Sequence, residues 1–331
     1  MLLYIGFIIC TLAIVFSGTQ LSRYGDIIAE KTGIGRTWIG VVFMASITSL
    51  PELVTGISSV TYAGVPDIAV GDVLGSCAFN MLILAFLDAI HRRTPISAKA
   101  HHGNILSAGF GILLLGIVSM SLFFGNRIIA IGWIGPYSLL FIVVYFLAIR
   151  LVYFYEKRRI AALFQKEARE LKYKDIETKT AIVNYVINAS IIIAAIFLPT
   201  IGAGIAERTG LGQTFVGNIF IAISTSLPEL VVSVAAVKIG AINLAIGNLF
   251  GSNIFNIFIL AIDDIFFIKG HILAFANQNH IISALSALLM TAIAIIGLTY
   301  RTEKKALILA WDSVGMMLVY IVNLMLLYSL R

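Results

Sequence analysis

The sequence predicts an all-α membrane protein in which ten transmembrane helices form two inverted five-helix repeats. The first observation is composition: of 331 residues, 60% are hydrophobic and only 12% are charged, and the mean hydropathy is +0.99. A chain this apolar has lipid as the solvent for most of its surface. The second observation is a repeated heptapeptide, TSLPELV, which occurs at 48–54 and again at 225–231. The third is that ten apolar stretches reach the roughly 20 residues that a transmembrane helix needs.

The ten stretches divide evenly between the two halves of the chain. The first stretch lacks a preceding basic region and a clear cleavage site, so we expect a retained helix rather than a signal peptide. Cys10 and Cys77 are the only cysteines, and both fall inside apolar stretches. We therefore expect both thiols to be buried, without a disulfide framework. The expected helices are 3–22, 38–62, 67–90, 102–123, 128–154, 181–205, 214–237, 243–267, 277–299 and 306–330.

Basic residues predict the orientation of these helices. Of the 23 Lys and Arg residues, 19 fall in or beside the loops that follow helices 1, 3, 5, 7 and 9. Because basic loops stay in the cytoplasm, both termini should be extracytoplasmic. The net charge of +6 is thus spread over loops instead of one folded face. It therefore does not indicate a nucleic-acid partner.

The chain's one long polar stretch divides it into three parts. We expect a first five-helix repeat at 1–155, a basic cytoplasmic linker at 156–180 and a second repeat at 181–331. Four apolar linker residues recur with helical spacing, namely Ile160, Phe164, Ala168 and Leu171. This spacing predicts a short basic helix on the cytoplasmic membrane surface, acting as a linker or a lipid contact.

A longer internal match shows that the two halves are duplicates. The segment at 29–40, AEKTGIGRTWIG, aligns with AERTGLGQTFVG at 206–217 at an offset of 177. The segment at 71–80, GDVLGSCAFN, aligns with GNLFGSNIFN at 247–256 at an offset of 176. Repetition of this length indicates a duplicated unit. Because each unit holds five helices, an odd number, the second enters the membrane from the opposite side. Inverted repeats are typical of secondary transporters, whose substrate sites lie near the bilayer midplane.

Glu52 and Glu229 occupy the same place in the two copies, near the middle of an apolar helix. Ionised side chains at that depth cost about 2.5 to 3.5 kcal/mol even on the most lenient scales. The cores of helices 2, 3, 7 and 8 contain no Lys or Arg, so a bound cation is the leading interpretation. Pro51 and Pro228 precede the acids and free carbonyl oxygens in the preceding turn, because proline has no N–H. The alternative is a proline kink with a protonated or snorkelling acid.

Other oxygen-bearing residues share a helical face with each glutamate. Residues at spacings of 0, 3, 4 and 7 lie on one side of a helix. Carboxylate, carbonyl, hydroxyl and amide oxygens suit hard cations such as Ca²⁺ or Na⁺, and one Ca²⁺ would cancel two carboxylates. Alternatively, the hydroxyls bond to their own helix and the asparagines bridge helices. The candidate metal-binding residues are Glu52, Glu229, Thr48, Ser49, Thr225, Ser226, Ser76, Asn80, Ser252 and Asn256, with the backbone oxygens of Ala45 and Ala222.

Three further acids lie outside this candidate set. Asp72 has a neutral counterpart, Asn248, in the other copy, which argues against a symmetric ligand role. Asp88 and Asp264 are counterparts of each other but lie close to helix ends. We therefore expect these two at the membrane interface.

The motifs resemble those of the cation/calcium exchanger superfamily, in particular the sodium/calcium exchangers. That family carries a G-[ST]-S-x-P-E segment on helices 2 and 7 and a G-S-x-x-x-[ND] segment on helices 3 and 8. Apart from the first glycine, which is Ile47 or Ser224 here, both segments occur twice in this chain. The resemblance implies that Glu52 and Glu229 are the principal calcium ligands, completed and flanked by the other candidates. Asn256, where the potassium-dependent branch has Asp, favours a potassium-independent exchanger.

The resemblance implies an antiporter that moves Ca²⁺ outward against inward Na⁺ at a prokaryotic plasma membrane. Both ions would compete for one midplane site while helices 1 and 6 slide past the other eight. No cofactor is implied, and a monomer is expected to suffice. One alternative is a Ca²⁺/H⁺ antiporter, because two close glutamates titrate as a coupled pair and could carry protons. A passive channel is another alternative, whereas an intramembrane enzyme is disfavoured by the lack of a nucleophile dyad or histidine metal motif.

Overall fold

The protein is almost entirely helical in the part of the chain that the structure describes. The computed structural model describes residues 2–91, 94–164, 175–192, 222–302, 304–305 and 309–330. Ile131 and Ile134 form an isolated β-bridge within a turn. The helices are α1 (Leu2–Thr32), α2 (Arg36–Thr48), α3 (Leu50–Ala63), α4 (Pro66–Ile90), α5 (Ile96–Lys99), α6 (His102–Phe124), α7 (Pro136–Phe164), α8 (Thr178–Ile192), α9 (Ala222–Thr225), α10 (Leu227–Lys238), α11 (Ile242–Phe266), α12 (Ile272–Phe275), α13 (His280–Tyr300) and α14 (Trp311–Ser329).

Six single helices in the described ranges are long and apolar enough to cross a membrane: α4, α6, α7, α11, α13 and α14. A seventh span arises if α2 and α3, which meet at a bend of 41°, are taken together. The expected helices 181–205 and 214–237, and the repeat copy at 206–217, lie partly or wholly outside the described residues. The ten-helix count therefore stays a prediction.

The centre of the molecule is built from α4 and α11, which contact each other and are the most buried of the candidate spans. α11 also contacts α2, α3, α6, α7 and α10. Glycine permits the closest of these approaches: a Cβ at Gly251 would lie 2.5 Å from both the Cα and the carbonyl oxygen of Val41. Outer faces carry exposed apolar side chains, such as Phe16 on α1 and Met325 on α14. In lipid, such exposure carries no hydrophobic cost.

The first helix contacts elements of both repeats. α1 lies against α8 and α10, and the Ser22 hydroxyl donates a hydrogen bond to the Val232 carbonyl oxygen at 2.7 Å. The remaining peripheral helices form a separate layer in which α13 contacts α6, α14 and α4. The pair formed by α1 and α8 therefore packs separately from the layer of peripheral helices around α13.

Several helix boundaries differ from those expected. α1 continues ten residues beyond 22, where Asp26 forms an ion pair with Arg36 at the start of α2. α7 begins at Pro136 instead of 128, because proline suits a helix start and the preceding segment is a turn. It continues to Phe164, so the first residues of the expected linker belong to this helix, and residues 165–174 lie outside the described part. Cys77 is buried as expected, whereas Cys10 is only partly buried.

Candidate cation site

Each copy of the repeated heptapeptide breaks a helix. Ser49 separates α2 from α3 with a non-helical conformation (φ −90°, ψ 13°). Ser226 separates α9 from α10 in the same way (φ −85°, ψ 7°). Pro51 and Pro228 lie at the start of the following helices, and proline cannot continue the hydrogen-bond ladder of the preceding turn. The helix expected at 38–62 is therefore two half-helices that meet at an angle.

The break places each glutamate in the first turn of a half-helix. Glu52 lies in the first turn of α3 and Glu229 in the first turn of α10, and both side chains are fully buried. A helix N-terminus presents unpaired N–H groups and a partial positive charge, which stabilise a carboxylate. The local sequence thus supplies part of the compensation that a buried acid requires.

The two glutamates are held by hydroxyl groups from opposite repeats. Ser49 donates to Oε1 of Glu229 at 2.8 Å, and Ser226 donates to Oε1 of Glu52 at 3.2 Å. Ser252 also donates to Oε1 of Glu229, at 3.2 Å. The second oxygen of each glutamate, Oε2, is buried without a hydrogen-bond partner among the described residues. This crossed pairing brings the two halves of the chain together at one place.

Threonines from both breaks line the same region. Thr48 lies 3.4 Å from the hydroxyl of Ser252, and Thr225 lies 3.3 Å from that of Ser76. The expected carbonyl ligands have partners of their own in this structure. The Ala45 carbonyl oxygen accepts from the Ser49 N–H and the Thr48 hydroxyl, and the Ala222 oxygen accepts from Ser226 and Thr225 in the same way. These hydrogen bonds fix the shape of each break.

Asn80 bridges two helices, and both candidate asparagines leave an oxygen available. Asn80 donates from Nδ2 to Oδ1 of Asn253 at 3.0 Å, and Asn253 donates to the Cys77 carbonyl oxygen at 3.2 Å. Cys77 and Asn253 are counterparts in the two repeats, so these contacts join α4 to α11. The Oδ1 atoms of Asn80 and Asn256 are buried without hydrogen-bond partners among the described residues. For Asn80, helix bridging therefore does not exclude ion binding.

Two polar residues outside the expected set also lie at the site. Thr225 donates to Oδ1 of Asp72 at 3.0 Å, and its counterpart Thr48 approaches Oδ1 of Asn248 at 3.4 Å. Both Asp72 and Asn248 are fully buried. Their positions in the sequence could have indicated this location. Asp72 lies four residues before Ser76, and Asn248 lies four residues before Ser252. Residues at this spacing share one face of a helix. The unequal charges of this pair hid its shared geometry.

Asp88 lies near the end of α4, and its expected position at the membrane interface stays a prediction. Its side chain is fully buried and accepts hydrogen bonds from the N–H groups of Ile96 and Ala310, each at 2.8 Å. Lys305 lies 3.0 Å from the same carboxylate. Nearby, burial and the charges of Lys99 and Lys305 lower the pKa of His91. Asp88 therefore anchors two connecting segments to the end of α4.

Asp264, the counterpart of Asp88, has the same function at the end of α11, and its expected position at the membrane interface likewise stays a prediction. It is fully buried and accepts hydrogen bonds from the Ile272 N–H at 2.6 Å, the Gly135 N–H at 2.8 Å and the Ser138 hydroxyl at 2.6 Å. In both repeats the acid binds the N–H eight residues later, at the start of a short helix. The compensation is local hydrogen bonding, not membrane solvation.

The central site has carboxylate charge without a basic partner. Ion pairs among the described residues join Arg36 to Asp26 and Glu30, His280 to Asp67, and Lys305 to Asp88. None of these involves Glu52 or Glu229. Within the described ranges, no group of three or more His, Cys, Asp or Glu side chains forms a dense metal cluster. Two carboxylates surrounded by neutral oxygens suit a hard cation that binds and leaves.

Comparison with known proteins identifies the family. The family described as "Sodium/calcium exchanger protein" matches residues 2–155 and 180–329. The chain is 25% identical to the sodium/calcium exchanger MaX1 of Methanosarcina acetivorans, over 98% of this chain and 99% of that protein. It is 29% identical to the inner membrane protein YrbG of Escherichia coli, over 76% of each chain.

Solved structures of the sodium-calcium exchanger NCX_Mj have the same fold. The structure soaked with 2.5 mM Na⁺ and 0.1 mM Ca²⁺ gives a TM-score of 0.73 at 20% identity, covering 100% of this chain and 99% of that one. The structure soaked with 10 mM Na⁺ and zero Ca²⁺ gives a TM-score of 0.70 at 22% identity, with the same coverage. At this identity the likeness shows the fold alone. The family match extends over both halves of the sequence, and the chain therefore belongs to the sodium/calcium exchanger protein family.

Proposed function

We propose that the protein is a secondary antiporter that exchanges Ca²⁺ for Na⁺ across the plasma membrane. The observation that carries this proposal is the crossed pairing of Ser49 with Glu229 and of Ser226 with Glu52. It supports one shared site in which two buried carboxylates have no basic partner among the described residues. Their combined charge would be cancelled by one Ca²⁺ or by two Na⁺, so the two ions would compete for the site.

The proposed ligands are the oxygens that surround the two glutamates. Glu52 and Glu229 would hold Ca²⁺ through their unpartnered Oε2 atoms, with reorganisation of the serine hydrogen bonds on binding. Hydroxyl and amide oxygens from both repeats would complete the calcium and sodium sites. These are Thr48, Ser49, Thr225, Ser226, Ser76, Asn80, Ser252 and Asn256, with the carbonyl oxygens of Ala45 and Ala222.

Alternating access would expose this site to each side of the membrane in turn. We propose ten helices in two inverted repeats, with both termini extracytoplasmic, the segment 156–180 cytoplasmic, and a monomer as the working unit. The contact of α1 with α8, beside the central helices, supports a sliding pair. A neutralised site crosses the low-dielectric barrier more easily than a charged one, which would couple ion binding to the movement.

The test is Ca²⁺ uptake driven by a sodium gradient in membrane vesicles. Glu52→Gln and Glu229→Gln keep the side-chain size but remove the charge, so each should abolish ⁴⁵Ca²⁺ uptake. The matched control is Glu177→Gln, because Glu177 is exposed and lies outside the site. Robust uptake by both site variants would refute the proposal. Stoichiometric counterflow of Na⁺ would exclude a passive channel.

Proton coupling is the second candidate, and Asp72 favours it. This third buried carboxyl group lies in the same hydrogen-bond network, where Thr225 donates to it. A proton-driven exchanger would use such a group to carry H⁺ back across the membrane. Replacing the sodium gradient by a pH gradient distinguishes the two, because only the proton-driven exchanger would then take up Ca²⁺.

A further inference from the structure

The two flanks of the central site are unequal in charge. Three positions next to the site on one flank have equivalents on the other, by the internal repeat. One flank carries Gly56, Asp72 and Asp263, and the equivalent residues are Ser233, Asn248 and Leu87. The first set contains two carboxyl groups, whereas the second contains none.

Asp263 is the most unusual of these residues. Its side chain is fully buried, and neither carboxylate oxygen has a hydrogen-bond partner among the described residues. It lies seven residues after Asn256 on α11, two helical turns along the same face. Its carboxylate points at α3, since a Cβ added to Gly56 would lie 2.4 and 2.5 Å from the two oxygens. Gly56 is one turn beyond Glu52, an axial rise of about 6 Å.

Asp72, on α4, is the second buried carboxyl group of this flank. Thr225 donates to its Oδ1 at 3.0 Å, while Oδ2 is buried without a partner in the described part of the chain. Thr225 directly precedes Ser226, which donates to Glu52, so Asp72 adjoins the central site. Unpartnered carboxylate oxygens are thus found beside the central site, at Asp72 on α4, and at the α3 and α11 interface, at Asp263.

An open cavity lies beyond Gly56 and Asp263 along their two helices. Residues 60–64 at the end of α3 and 266–269 at the end of α11 line an open cavity of about 330 Å³. These segments follow Gly56 and Asp263 directly along their helices. Lys269 contributes to the opening, but among the described residues no ion pair joins it to Asp263. By the distribution of loop charges, we expect this end to be extracytoplasmic.

The equivalent positions on the other flank are neutral, and the two polar residues among them form a hydrogen bond with each other. Asn248 donates from Nδ2 to the Ser233 hydroxyl at 3.1 Å, and the Thr48 hydroxyl approaches its Oδ1 at 3.4 Å. Leu87, the counterpart of Asp263, is fully buried and apolar. A cation would meet no carboxylate from this set before it reached the central glutamates.

We propose that Asp263 and Asp72 form a transit site for the transported cation, on the flank that opens between residues 60–64 and 266–269. The proposal rests on the proposed function, because the cation is the one exchanged at Glu52 and Glu229. A buried carboxylate without a partner is costly, and a visiting hard cation would offset that cost. A cleft lined by one sign of charge also raises the local concentration of the opposite ion. The transit site makes cation capture stronger from one face than from the other.

The test compares the two membrane faces in right-side-out and inverted vesicles. Asp263→Asn removes the charge with little change in size, and Asp72→Asn installs the residue found at the equivalent position of the other repeat. In each variant we expect KM for Ca²⁺ presented to the face that carries residues 60–64 to rise about tenfold, with KM on the opposite face unchanged. The opposite face is the internal control for folding. Asp312→Asn, at a buried acid on α14 that belongs to neither set of flank residues, should change neither value.

Equal KM changes on both faces, or no change in either variant, would overturn the proposal while leaving the exchange function intact. If the unmodified protein shows no sodium-dependent Ca²⁺ flux, the proposed function fails, and equilibrium ⁴⁵Ca²⁺ binding decides the transit site separately. The purified double variant Glu52→Gln, Glu229→Gln should retain weak binding that Asp263→Asn removes. The transit site would be overturned if the double variant bound Ca²⁺ equally with and without Asp263→Asn. It would also be overturned if the double variant bound no Ca²⁺ at all.

Discussion

The two repeats are alike where they hold the glutamates and unlike on the flanks of the site. Ser49 and Ser226 break their helices with nearly the same backbone angles and donate to each other's glutamate. On the flanks, by contrast, Asp72 places a carboxyl group beside Thr225, whereas its counterpart Asn248 places a neutral amide beside Thr48. A site that serves both sides of a membrane requires like contributions from both repeats. The routes to it have no such requirement, and they can differ.

The largest expected effect comes from the two anchoring acids, Asp88 and Asp264. Asp88→Asn should destabilise the protein by about 3 to 5 kcal/mol, because it removes one partner of a buried ion pair with Lys305. Asp264→Asn removes hydrogen bonds but leaves no lysine without its carboxylate, so we expect a smaller loss of about 1 to 3 kcal/mol. The measurement is the thermal unfolding midpoint of the detergent-purified proteins.

Exposed Asp175 provides the matched control for this comparison, and Asp175→Asn should leave the midpoint unchanged. Equal unfolding midpoints for Asp88→Asn and Asp264→Asn would show that the ion pair between Lys305 and Asp88 adds nothing to the stability of the protein. The two anchors would then be equivalent in energy as well as in position.

The second prediction concerns the crossed serines. Ser226→Ala should weaken Ca²⁺ binding more than Ser49→Ala, because Glu229 retains the hydrogen bond from Ser252, whereas Glu52 has no second side-chain hydroxyl donor among the described residues. A hydrogen bond to a charged group is worth about 1.5 to 3 kcal/mol, so the loss for Ser226→Ala should be roughly tenfold or more. Equilibrium ⁴⁵Ca²⁺ binding measures both variants.

Ser190 is a suitable control because its hydroxyl bonds to the Val186 carbonyl oxygen of its own helix, away from the site. Ser190→Ala should bind Ca²⁺ as the unmodified protein does. A larger effect of Ser49→Ala than of Ser226→Ala would contradict the hydrogen-bond network described for Glu229.

The smallest expected difference separates the two threonines. Thr225 donates to the carboxylate of Asp72, whereas Thr48 approaches the neutral amide of Asn248. Thr225→Val should therefore weaken Ca²⁺ binding by about 1 kcal/mol more than Thr48→Val does, because hydrogen bonds to charged groups are stronger than those to neutral groups. The excess should vanish when Asp72→Asn is also present, which a double-mutant cycle detects. An excess that persists in that background would exclude Asp72 as its cause.

The sequence predicts the composition of the central site well, because the repeat marks it twice. The twelve candidate residues are all buried, and the proline in each heptapeptide accounts for each helix break. The crossed pairing of Ser49 with Glu229 was not foreseeable, since it depends on how segments 180 residues apart face each other. At Asp72, the charge difference from Asn248 concealed a shared position beside the site.

The sequence did not reveal the contacts of the anchoring acids or the place of Asp263, for different reasons. Asp88 and Asp264 lie near helix ends, and sequence alone does not show that connecting segments fold over them. Asp263 follows Asn256 at helical spacing, but its counterpart is Leu87, so the internal repeat does not mark it. Its environment depends on the close approach of Gly56 on another helix. Tertiary packing, not a local pattern, determines the role of all three.

The central claim is that the two glutamates form one shared cation site, and the number of tightly bound Ca²⁺ ions tests it most directly. The measurement is ⁴⁵Ca²⁺ binding at equilibrium to the purified protein and to its Glu52→Gln and Glu229→Gln variants. A shared site predicts that either single substitution removes the tightest binding. One Ca²⁺ retained with unchanged affinity in each single variant would show that the glutamates act independently, and would contradict the account.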